Sequence, residues 1–282
     1  MNAAQKIVAF VVGLAVLFTV AVFVGRVIGP EGGGAAQQAP AHEDSHDADS
    51  EAYTLDLAED RLKAASKVPL RFRILDAGGS PVTHYVENHE KLLHLIVVRN
   101  DLAGFQHVHP VLDSDGTWGV PVDLRLAGDY RVFADFTPAG GPAMALAADV
   151  HVGGQYDPQP LPPVEATSMV DGYTVTLSGS AKAREASMLT LSVSRGGKPV
   201  TDLQPYLGAY GHLVALRAAD LAYLHVHPMG EPGDGVTAAG PDIAFHATFP
   251  SVGDYRLFLD FQHAGVVRTA EFTVSVGDGE TR

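Results

Sequence analysis

Apolar and polar residues alternate along Leu70-Arg71-Phe72-Arg73-Ile74-Leu75, the period of a half-buried strand. Asp76-Ala77-Gly78-Gly79-Ser80-Pro81 follows with the residues of a turn. His94 to Arg99 is a run rich in β-branched residues and predicts a second strand. After a turn at Asp113-Ser114-Asp115-Gly116, Asp129 to Phe136 and Ala145 to Val152 predict two more. The same succession then returns: Leu189 to Ser194, a turn at Arg195-Gly196-Gly197-Lys198-Pro199, His212 to Arg217, Asp254 to Phe261 and Ala270 to Val276. Short strands at this spacing point to an all-β architecture. Only Leu57 to Ala65 reads differently, as a turn of helix.

The succession is a duplication. His94, His107 and His109 recur as His212, His225 and His227, each 118 positions on. Gly128-Asp129-Tyr130-Arg131-Val132-Phe133-Ala134-Asp135-Phe136 recurs as Gly253-Asp254-Tyr255-Arg256-Leu257-Phe258-Leu259-Asp260-Phe261, 125 positions on. A Gly- and Pro-containing loop at 230–240 accounts for the change of offset. Tyr130 and Tyr255 each follow a Gly-Asp pair, and the surrounding sequence resembles the tyrosine corner that opens strand F of immunoglobulin-like domains. The expected fold is therefore two tandem immunoglobulin-like β-sandwiches, over 52–155 and 168–278, joined by a Pro-rich, semi-rigid linker at 156–167.

What precedes them is of another kind. Ile7 to Val24 is 18 uncharged, almost wholly apolar residues, with Arg26 just beyond. That length suits a retained transmembrane helix better than a cleaved signal peptide, so residues 1–28 read as a single-pass anchor. Lys6 before the helix gives a weak positive-inside bias, which leaves the bulk of the chain extracytoplasmic at the cell membrane. Residues 29–51, rich in Gly, Ala, Asp and His with no apolar period, read as a flexible acidic tether. The net charge of −14 disfavours nucleic acid, whose phosphates need cationic patches, and is compatible with attracting cations. With no cysteine in the chain, disulfides and thiolate metal sites are excluded.

The histidines carry the candidate chemistry. Residues i and i+2 of a strand face the same side, so His107 and His109 point together, as do His225 and His227. His94 and His212, on neighbouring strands, would complete a His₃ set in each repeat, a donor set that binds zinc with an open fourth position. Leu224 and Val226 alternate with the second pair of histidines, and Val108 lies between the first pair, so apolar residues face the core and imidazoles face away from it. Such outward rings suit a metal, a set of structural hydrogen bonds, or an interface between the copies. Asp135 and Asp260 could orient an imidazole or pair across strands with Arg99 or Arg217. Met144 and Met229 hint at copper. Among the unmatched histidines, His89 and His263 are the auxiliary candidates.

The H-L-x-x-x-R … H-x-H-P module followed by G-D-Y-R-x-F-x-D-F resembles a set of bacterial membrane-anchored or secreted proteins, some of them labelled heavy-metal-associated. The resemblance spans about Leu70 to Val276 and implies an extracytoplasmic β-sandwich in metal or copper handling, with no catalytic set attached. The expected function is sequestration or transfer of copper or zinc by a membrane-anchored protein, with His94, His107 and His109 in one site and His212, His225 and His227 in the other. The alternative is a non-catalytic structural or interaction protein of the cell envelope, with an envelope protein as partner and its histidines hydrogen-bonded. No G-x-S-x-G, H-E-x-x-H or phosphate-binding loop is present, so an enzyme is not expected.

Overall fold

A computed structural model describes residues 52–278. The expected anchor and tether lie outside the described residues. Among those described there is no helix, hence none long and apolar enough to cross a membrane.

The first repeat contains β1 (Tyr53–Leu57), β2 (Arg61–Lys63), β3 (Val68–Asp76), β4 (Tyr85–Val86), β5 (Leu93–Arg99), β6 (Gln106–Val108), β7 (Val111–Leu112), β8 (Thr117–Val122), β9 (Gly128–Pro138) and β10 (Met144–Gly153). One sheet runs β1-β3-β8-β7 and the other β2-β10-β9-β5-β6. These are the A-B-E-D and G-F-C-C′ orders of an immunoglobulin sandwich, with β2 added parallel to β10. The second repeat contains β11 (Thr167–Val170), β12 (Tyr173–Gly179), β13 (Ala186–Arg195), β14 (Lys198–Pro199), β15 (His212–Arg217), β16 (Tyr223–Pro228), β17 (Asp242–Thr248), β18 (Gly253–His263) and β19 (Val266–Val276). Its strand order is β11-β12-β13-β17-β16-β15-β18-β19. Strand β16 pairs with β15 and, at its far end, with β17, which links the two halves of the sandwich.

The helical expectation for Leu57 to Ala65 is overturned. Leu57 ends β1, and Arg61, Leu62 and Lys63 lie parallel to His151, Val152 and Gly153 on the edge of β10. Leu62 packs against the first core. So short a helix is marginal by itself, whereas the open edge of β10 offers backbone partners as well as apolar cover.

Each core is filled by the period-two alternation. Tyr130, Val132, Ala134 and Phe136 of β9 enter the first core, and Tyr255, Leu257, Leu259 and Phe261 of β18 enter the second. The expected tyrosine corners are present. Tyr130 Oη donates to the Leu126 carbonyl at 2.8 Å, and Tyr255 Oη to the Ser251 carbonyl at 3.1 Å. Tyr130→Phe is expected to cost about 1 kcal/mol, the net worth of one such bond. Chemical denaturation would measure it, and an unchanged midpoint would remove the corner's role in stability.

The other faces of these strands are also buried. All seven residues of β5 are buried. Leu93, Leu95 and Val97 serve the first core, while Ile96 and Val98 join a third cluster that draws on both repeats: Leu102 and Phe133 from the first, Val214, Leu216, Leu221 and Phe258 from the second. The contacts are reciprocal. Phe105 stacks on Phe258, with centroids 3.8 Å apart and rings 4° from parallel, and Tyr223 stacks on Phe133 at 5.4 Å. Phe105 corresponds to Tyr223 and Phe133 to Phe258 at the repeat offsets. The repeats thus meet as the two halves of an isologous dimer would, with one patch facing its own counterpart.

Candidate metal centre

The histidines lie along this seam. His94 sits on β5 opposite Asp135 of β9, and His107 on β6 opposite Ile96. His109 follows two residues later, just past the end of β6. Val108, between them, packs on the first core, which turns both rings away from it as the alternation requires. The His107 side chain is 4% exposed, lying against Asp260 of the second repeat, while His109 is half-buried.

Three ring nitrogens converge. His94 Nδ1 lies 3.0 Å from His107 Nε2 and 3.2 Å from His109 Nε2. Among the described residues these three side chains form the one group of His, Asp or Glu whose ligand atoms all come within 4.8 Å of one another. The opposite nitrogens fix the tautomers. His94 Nε2 meets the Asn88 carbonyl at 3.1 Å and His107 Nδ1 meets Asp260 Oδ2 at 2.8 Å. A carbonyl and a carboxylate only accept, so those ring nitrogens donate, which leaves His94 Nδ1 and His107 Nε2 turned toward one another. Burial, then the neighbouring His107 and His94, push His109 down to about 2, so its ring is held neutral.

Asp260 comes from the second repeat. It also accepts from Thr269 Oγ1 at 2.5 Å and lies opposite His212 on β15. The carboxylate therefore orients an imidazole; it makes no cross-strand pair with Arg217, which bonds Asp220. Asp135 accepts from the Tyr223 hydroxyl at 2.8 Å, again between repeats. Burial beside Asp135 raises the Tyr223 phenol well above its ordinary value and keeps it a donor. Arg99, the other cationic candidate, pairs with Asp101.

His212 stands against the first triad. Its ring is 6.4 Å from those of His94 and His107, and its Nε2 meets the Tyr206 and Leu207 carbonyls at 2.9 and 3.1 Å. Burial, then His89 and His107, hold it down to about 3. His225 and His227 lie on β16, with His225 opposite Val214 and His227 opposite His246; their side chains lie outside the described residues. His89 joins the cluster, 5.1 Å from the His212 ring and 6.2 Å from that of His94. His263 does not: it meets Tyr173 and Asp202. Met144 is buried in the first core and Met229 is exposed.

Sequence reasoning missed the Asn88 carbonyl and Tyr206. The turn that supplies the former, Asn88 to Lys91, places His89 and Glu90 at φ of 48° and 62°. Two left-handed central residues make a tight hairpin turn, but the usual signal is Asn-Gly or Gly-Gly, and His-Glu gives none.

The sequence model of a domain of unknown function, DUF8832, matches residues 47–154 and again 168–278. The chain belongs to this family. Both DUF8832 copies contribute to the seam, with the histidine triad on the first and Asp260 on the second. A comparison with curated proteins returns no match. Among solved structures, the chain is similar to InvD of Yersinia pseudotuberculosis (12% identity, 82% of this chain and 58% of that one, TM-score 0.26). It is also similar to invasin, a bacterial integrin-binding protein (15%, 78% and 39%, TM-score 0.23). A third similarity is to a tetra-tandem repeat from the extending region of a large adhesion protein (14%, 79% and 48%, TM-score 0.26). The chain spans about half the length of these structures. At such scores the architecture stands on the chain's own strand order and tyrosine corners.

Proposed function

We propose that this is a non-catalytic metal-binding protein whose seam between tandem β-sandwiches holds a transition-metal cation, copper or zinc, on His94, His107 and His109. The observation that carries this reading is the convergence of three ring nitrogens, His94 Nδ1 at 3.0 Å from His107 Nε2 and 3.2 Å from His109 Nε2, with His94 and His107 each oriented by a hydrogen bond on the far side of the ring. A cation between them would take the neutral imidazole nitrogens as ligands. The spacing is close to the roughly 3.3 Å between ligands of a tetrahedral ion with 2.0–2.1 Å bonds. A carboxylate–histidine–metal arrangement is the usual way a protein orients such a ligand. All-imidazole donors suit Zn²⁺ and Cu²⁺, and His109, half-buried, leaves a way in. With Ile7 to Val24 as an anchor, the centre would stand outside the cytoplasm.

The second reading is a structural or interaction module of the envelope. It is favoured by the protein partners that His94, His107 and His212 already have.

Metal content and thermal unfolding of the full chain, with and without Zn²⁺, Cu²⁺ or Cu⁺, beside His107→Ala, separate the two. A cation at a hundredfold excess over its Kd should add about 2.7 kcal/mol, and His107→Ala should abolish the gain. An unfolding curve indifferent to every cation, with His107→Ala merely less stable, would establish the structural reading instead.

A further inference from the structure

The cation site is built by one repeat and oriented by the other. The ligand nitrogens of His94, His107 and His109 all belong to the first repeat, while the carboxylate that sets the His107 ring, Asp260, belongs to the second. Asp260 is itself fixed, by the Thr269 hydroxyl and by its place on β18 directly behind His212. Phe258, two residues before it on the same face of β18, is the residue that stacks on Phe105. The strand that carries the seam's apolar anchor therefore carries the orienting carboxylate as well. Sliding or parting of the repeats that moves Phe258 off Phe105 draws Asp260 off His107.

We propose that docking of the two repeats controls cation binding, with Asp260 as the positioning residue. The seam closed, His107 presents Nε2 to the ion. The seam open, the carboxylate no longer holds the ring in that orientation. This rests on the metal reading above. Linkage makes the effect reciprocal: whatever factor docking contributes to cation affinity, the cation contributes to docking. Loss of a carboxylate behind a metal-bound imidazole typically weakens binding 10–100-fold, and that is the range expected for Asp260→Ala. In Asp260→Asn the amide oxygen still accepts from His107 Nδ1, so a part of the affinity should return. Phe258→Ala touches no ligand, yet should weaken binding too, by loosening the seam.

The test is titration of the full chain with Zn²⁺ and Co²⁺, in wild type, Asp260→Asn, Asp260→Ala and Phe258→Ala. The visible bands of bound Co²⁺ report ligand geometry, and hydrogen exchange of the β15 and β5 amides reports docking. Expected results are graded affinity, wild type above Asp260→Asn above Asp260→Ala, altered Co²⁺ bands in Asp260→Ala, and slower exchange along both strands when the cation is bound. Wild-type affinity and bands in both Asp260→Ala and Phe258→Ala would overturn the coupling and leave the metal site standing. No cation bound by the wild type would remove the metal reading, and the coupling with it.

Discussion

Phe258→Ala is expected to cost about 3–5 kcal/mol, the range for deleting a buried phenylalanine from a packed cluster. Phe258 is 1% exposed and stacked face to face on Phe105, with Val214, Leu216 and Ile96 in the same cluster. Its loss leaves a cavity that neither sandwich can close alone, because each wall belongs to a rigid sheet. The Arg256 guanidinium, 5.4 Å over the same ring, loses its support too. Denaturant unfolding of the full chain followed by tryptophan fluorescence measures the loss from the first repeat, where Trp118 is buried in the core. A second, earlier transition is the further mark of a loosened seam. A loss below about 1 kcal/mol in a single unshifted transition would show that the two repeats lean on each other little.

The second large effect lies where the linker leaves the first repeat. Arg99, 1% exposed on its side chain, pairs bidentately with Asp101, 10% exposed, at 2.8 and 2.7 Å. Arg99 also donates to the Ala127 and Asp157 carbonyls, and Asp101 accepts from the Gln159 amide at 2.8 Å. The pair thus pins the start of the linker to the sheet. Asp101→Ala leaves a buried guanidinium without its counter-ion and is expected to cost about 3–5 kcal/mol. The dependence on pH has a definite sign. Burial alone would raise the Asp101 carboxyl, but Arg99 and the Gln159 and Ala103 amides outweigh it, and the net effect is a lowered value. The unfolded carboxyl titrates near 3.9, so below that the unfolded chain binds the proton first. The stabilisation is complete above about pH 4 and is lost as pH falls through the lowered native value. Acid unfolding curves of wild type and Asp101→Ala should therefore converge below pH 4. Curves that stay parallel through that range would show that the charge of Asp101 is not what stabilises this corner.

Much of the architecture was legible in the pattern of the chain. Alternation over Leu70 to Leu75 placed β3, and the Gly-Asp-Tyr repeats placed β9 and β18 together with their tyrosine corners, because both signals are local: a period-two face and a hydroxyl reaching four residues back. Strand alternation also turned His107 and His109 to one side, and the tertiary structure then brought His94 to them. Leu57 to Ala65 misled because its apolar spacing fits two states, and the edge of β10, distant in sequence, chose the strand. Met144 misled because a thioether fills a core gap as readily as it binds copper.

The sequence by itself determined two β-sandwich repeats, three matched histidines in each, and the absence of any thiolate chemistry. Only the tertiary structure decided that the outward faces of β5 and β15 bury one another, that Asp260 serves a histidine 153 residues away, and that His212 and His89 border the first triad. The reason is physical. Periodicity reports which face of a strand is apolar, and the unbroken apolar runs of β5 and β15 say that both faces are covered. What covers the second face depends on contacts between surfaces far apart in the chain, and these form only once each sandwich has folded.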